Sequence, residues 1–113
     1  MIDMSEEDIK RKVKKATTEI LACTDEIHTN SERLREIILS CNDTMMFLNR
    51  FYKSSRDESL YSLMLMLETI KVNAENTVED FQNGQPERMD SRVSKIKETA
   101  QSLLNSSENF KLS

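Results

Sequence analysis

One histidine, two cysteines and a dense run of lysine and arginine are the residues of this 113-residue chain whose types could do chemistry. Asp25 and His28 stand at the i, i+3 spacing that puts a carboxylate and an imidazole on one helix face, half of the set with which helical bundles hold two metal ions. The other half needs a second Glu-x-x-His, and the sequence has no second histidine. No metal and no cofactor is expected. A nucleophilic thiol needs an electropositive, partly exposed setting. Cys23 and Cys41 instead fall on an apolar stripe, where a thiol is buried and inert. On one helix they would lie about 27 Å apart, too far for a disulfide, which needs Cα atoms within about 7 Å. With a single glycine there is no glycine-rich phosphate loop. These absences together point away from an enzyme.

The basic run KRKVKK places Lys10, Arg11, Lys12, Lys14 and Lys15 within six residues. The net charge of −4 gives phosphate backbones no general attraction, so nucleic acid is not an expected partner. The run reads as a solvated helix face, as a short nuclear-import signal, or as electrostatic attachment to an anionic surface. A peripheral membrane-binding protein using this basic amphipathic helix is the alternative function. Against it, the apolar side of the helix lacks Trp and Phe and includes Ala16.

The elements that carry these residues follow from composition and period. Gly and Pro occur once each, and 32% of residues are charged against 37% apolar. Tight hairpins need Gly and Pro, so an all-α protein is expected. No apolar run approaches the roughly 20 residues of a membrane span. The charged N-terminus does not read as a secretory signal, and an intracellular, cytoplasmic protein is expected. Ser5 followed by Glu6, Glu7 and Asp8 reads as a capped helix start.

Steps of four and three from Ile9 give Ile9, Val13, Ala16, Ile20, Cys23, Ile27, Asn30, Leu34, Ile37, Cys41, Thr44, Leu48 and Phe51, of which only Asn30 and Thr44 are polar. The phase does not slip across TDEIHTNSERLRE, residues 24 to 36. Thr29 and Glu32 nonetheless have capping-box spacing. Phase continuity favours one helix over 5–53, with Asn30 as a buried polar residue that sets register. The alternative is a four-helix bundle broken near Asn30. Beyond the polar stretch 53–59, where Ser55 and Glu58 match a capping box, a second helix is expected over 58–82 and a third over 86–111. Gly84 suits the turn between them and Pro86 the first turn after it. The stripe is narrow over residues 5 to 26, flanked by Lys10, Thr17 and Thr24 and by Lys12, Glu19 and Glu26. It widens after Ile37. The expected architecture of this single domain, 1–113, is therefore a three-helix bundle with a coiled-coil-like arm at 5–26.

Such an arm would leave Ile9, Val13, Ala16, Ile20 and Cys23 uncovered, and burying them against a partner is worth several kcal/mol at about 25 cal/mol per Å². Met46, Leu65 and Met66 exceed what one core face needs, and methionine repacks around varied partners. The expected function is a non-enzymatic protein–protein interaction module, a scaffold or adaptor subunit. Its partner would be a second copy or a helix of another protein.

Overall fold

The computed structural model describes residues 6–27 and 30–112, and these residues form four helices and no strand. Glu6, Glu7 and Asp8 sit in the first turn of α1 (Glu6–Thr24), where carboxylates favour the positive end of the helix dipole. Residues 25–27, 30 and 31 lie outside the helices. The chain resumes as α2 (Glu32–Ser55), then α3 (Glu58–Gln82) and α4 (Pro86–Glu108). The expected helix over 5–53 is thus two helices, and the alternative broken near Asn30 describes the chain. Ser5, His28 and Thr29, read above as a cap, a half metal motif and a capping box, lie outside the described residues.

Asn30 is the cause of the restart. It is exposed, and its side-chain Oδ1 accepts a hydrogen bond from the Glu32 backbone N–H at 3.1 Å. Its own carbonyl accepts from Arg33 N–H at 3.1 Å. That is an N-terminal cap, satisfying donors that the first turn leaves unpaired. Asn30 is therefore a surface cap and not the buried register-setting residue expected. Phase continuity misled because seven positions separate the end of α1 at Thr24 from the start of α2 at Glu32, so the stripe keeps its numbering while the second helix runs back along the first. The reversal is dated by contacts along α1 and α2: Lys12 pairs with Asp43 at 2.7 Å, and Cys23 meets Glu36.

The later junctions follow their local chemistry. Arg56 takes a left-handed conformation (φ 54°) and donates its N–H to Tyr52 O. Asp57, not Ser55, caps α3: its Oδ1 accepts from Ser59 N–H at 2.8 Å. Gly84 (φ 65°) turns the chain from α3 into α4, which opens at Pro86 as expected and ends three residues earlier than expected, at Glu108.

Each helix packs on its two chain neighbours, and α4 returns to α1. Tyr52 of α2 stacks on Tyr61 of α3 with ring centroids 5.6 Å apart. Arg92 of α4 bonds the buried carboxylate of Asp80 on α3. Asp25, just past α1, pairs with Lys97 of α4 at 3.5 Å, and Leu112 N–H donates to Glu6 at 2.8 Å. The bundle runs up-down-up-down, with α1 diagonal to α3 and α2 diagonal to α4. Its extents are 50 × 21 × 19 Å. A single helix over 5–53 would alone be about 73 Å long.

One core runs through all four helices. Ile9, Val13, Ala16 and Ile20 are in it, so the face expected to await a partner is the bundle's own interior. At about 2 kcal/mol per fully buried aliphatic side chain, Ile9, Val13, Ile20 and Ile27 contribute on the order of 8 kcal/mol, comparable to the whole stability of a domain this size. The polar flank of α1 does not prevent this. Thr17 and Thr24 are buried, and each hydroxyl donates to a carbonyl of its own helix, Lys14 O at 2.9 Å and Leu21 O at 2.7 Å. Satisfied this way, a threonine presents its methyl to the core. Thr44, Thr77 and Ser107 are buried with the same solution.

Candidate functional site

The two cysteines are set by their helices. Cys41 is buried on α2, and desolvation pushes its thiol up to about 12. Cys23 is half-buried on α1; desolvation, followed by its hydrogen bond to Glu36, pushes it up to about 11. Neither carries a thiolate at neutral pH, so neither has a ready nucleophile. Cys23 lies in an open groove between α1 and α2 with Arg33, whose guanidinium reaches Glu26 at 2.7 Å and Glu36 at 2.6 Å. Arg33 is the main reason the Glu36 carboxyl is held below its ordinary value. Arg33 and Glu36 stand one turn apart on α2, but no spacing rule applied to the sequence brought Cys23 and Glu26 to them, because those pairs form only across the reversal between α1 and α2. Among the described residues, no three histidine, cysteine or acidic side chains gather to hold a metal ion.

The basic run is distributed around α1. Lys10 and Arg11 face Glu7 and Asp8 one turn earlier, at 3.9 and 3.5 Å. Lys12 crosses to α2, pairing with Asp43 and lying 5.6 Å from the centre of the Phe47 ring. Lys14 and Lys15 stand exposed. The apolar side of this helix, which a membrane would have to receive, is in the core. Among the described residues, no helix is long and apolar enough to cross a membrane.

What the surface does offer is uneven. Six large apolar side chains stand exposed among the described residues, and all six are on α2 and α3: Leu39, Met46, Tyr61, Leu65, Val72 and Phe81. The outer surfaces of α1 and α4 carry none of this size. Met46 is 66% exposed on α2 and Leu65 49% on α3, so these two anticipated residues stand on adjacent helices. Met66 is half-buried against the core, one heptad before Asn73, which lines the polar groove between α3 and α4. It does not join them.

Period explains the arrangement. On α2, Ile38, Met45 and Tyr52 recur every seven residues on the side turned to α3, as the Tyr52–Tyr61 stack shows. The next row outward on α2 is Arg35, Asn42 and Asn49, and Leu39 and Met46 stand one row beyond it. On α3, Tyr61 stands beside Tyr52, and Leu65 and Val72 form the outer row. The valley between the two helices is lined by the half-buried Ile38, Met45 and Met64. The result is a two-helix face with an apolar floor and apolar shoulders, separated on α2 by the half-buried Asn42 and Asn49. Sequence reasoning missed Leu39, Tyr61 and Val72. Their signal was present: each is an apolar residue at a position the seam assigns to solvent.

Comparison of the chain with protein-family models, with curated proteins and with solved structures found no match.

Proposed function

We propose that this protein is a non-enzymatic interaction module, a scaffold or adaptor subunit, that docks other protein through the outer face of α2 and α3. The observation that carries the reading is the confinement, among the described residues, of every large exposed apolar side chain to these two adjacent helices. Single exposed leucines are ordinary on protein surfaces, whereas a grouped set marks an interaction site. Methionine and tyrosine suit the work: one adapts its shape, the other offers a large ring at small entropy cost. The membrane reading has less support, since it requires α1 to leave the core before its apolar side can meet lipid.

The test is site-specific photocrosslinking in extract of the source cells. A benzophenone amino acid replaces Met46 or Val72 on the face, and Gln101 on the outer surface of α4 as control. Protein adducts are expected from positions 46 and 72 and not from 101. Adducts at equal yield from all three positions, or from none, would sink the reading.

A further inference from the structure

We infer that the partner seated on the α2/α3 face is a second copy of this chain, related by a two-fold axis parallel to the helices. This rests on the interaction reading above and names its partner. The face is polarised in charge. Glu58, Glu68, Glu75 and Glu79 stand exposed along α3, whose one cation, Lys71, is half-buried; Arg35, which pairs with Glu32 one turn earlier at 4.0 Å, and Lys53 stand exposed along α2. Elsewhere, charges are consumed inside the molecule: ion pairs join α1 to α2, residue 25 to α4, and α3 to α4. Among the described residues, none joins α2 to α3, and neither Lys53 nor any of those four glutamates is in an ion pair, while Arg35 pairs only within its own helix.

A two-fold axis along the helices exchanges left and right across the face and preserves height. It therefore lays α2 of one copy along α3 of the other, antiparallel, at the heights the two helices already share. Those heights follow from the Tyr52–Tyr61 stack. Stepping one residue down α2 for each residue up α3, Lys53 meets the stretch between Glu58 and Tyr61 of the other copy. Met46 meets the stretch between Leu65 and Glu68, and Leu39 that between Val72 and Glu75. Arg35 arrives between Glu75 and Glu79. Apolar shoulders meet apolar shoulders in the two middle heptads, and cations meet carboxylates at both ends. Every contact occurs twice, as an isologous interface requires. The size is adequate too. Two helices about 36 Å long and about 20 Å across together offer on the order of 700 Å² per copy, close to the roughly 800 Å² per partner of a stable interface.

The test measures mass by light scattering on the full chain, at low salt and about 100 µM, a concentration suited to the weak end for interfaces of this size. A species of twice the 13.1 kDa chain mass is expected. Lys53→Glu alone sets carboxylates against carboxylates, and Glu58→Lys alone sets ammonium groups against ammonium groups. Each is expected to raise the dimer Kd at least tenfold, with helix content by circular dichroism unchanged. Mixing the two variants restores opposite charges at both symmetric contacts, and the mixture is expected to form a heterodimer within about threefold of the original Kd. This rescue cannot arise from an ion pair within one chain. A wild-type monomer under these conditions, or a dimer indifferent to the two substitutions, overturns the inference. Photoadducts at position 46 with other proteins, alongside a monomeric chain, overturn the second copy while leaving the interaction reading intact.

Discussion

Ile20 decides whether α1 belongs to the bundle or projects from it. The side chain is 1% exposed, on the face of α1 turned to the interior. Ile37 on α2 is fully buried in the same core. Truncating a buried isoleucine to alanine removes its transfer energy and leaves a cavity, together about 2–5 kcal/mol. Taking about 3 kcal/mol for each, Ile20→Ala and Ile37→Ala are expected to be equally damaging. For a domain of this size that is a fall in Tm of about 12 °C, at about 4 °C per kcal/mol. Urea unfolding followed by circular dichroism reads both, with the slope m unchanged if only stability moves. An independent arm gives a different outcome, in which Ile20→Ala stays within about 0.5 kcal/mol of the parent while Ile37→Ala loses its full share. That asymmetry would refute the closed four-helix packing and the energetic weight given to α1.

Three further outcomes follow from the geometry. Asn30→Ala removes the side-chain acceptor at the start of α2 and is expected to cost about 1 kcal/mol, read in the same unfolding assay; Asn30→Asp should restore it, since it keeps an acceptor oxygen. Raised to about 11, the Cys23 thiol should react with a disulfide reagent at pH 8 about 100-fold more slowly than a free thiol, and Cys41 should react only as the domain unfolds. The Lys12 ammonium holds the Asp43 carboxyl below its ordinary value. Its contribution is therefore fully present above the ordinary carboxylate range of about 4 and is lost as pH falls through the depressed folded value. The stability difference between the parent and Asp43→Asn should accordingly shrink at acid pH, and a difference that grows there would reverse the assignment.

Much of the fold could be read from residue order. The interior positions of α3 and α4, from Leu60 to Thr77 and from Met89 to Phe110, are those the heptad steps select, and all are buried. The turn at Gly84 and Pro86 was legible because their backbone preferences act locally. Only Phe81, at the end of the α3 stripe, stands largely exposed beside that turn. The reversal between α1 and α2 was not legible from period. Seven positions between two helices leave numerical phase intact, and the cap at the start of α2 is one hydrogen bond accepted by Asn30 from the Glu32 N–H. The width of the α1 stripe was misjudged for a related reason. Thr17 and Thr24 count as polar in a list of residues, yet they behave as apolar groups once their hydroxyls are satisfied within the helix. The surplus of methionine and leucine at Met46 and Leu65 announced a face, while its extent through Leu39, Tyr61 and Val72 appeared only when α2 and α3 stood side by side.

Residue order by itself determined that the chain is helical and which positions are interior along each helix, because period and capping chemistry act within a few residues. Tertiary structure alone decided that α1 folds back and finds its cover inside the molecule. It also decided that the apolar surface left over is on α2 and α3. Both depend on which helices become neighbours, a choice made by total burial across the bundle and not by any one stretch of sequence.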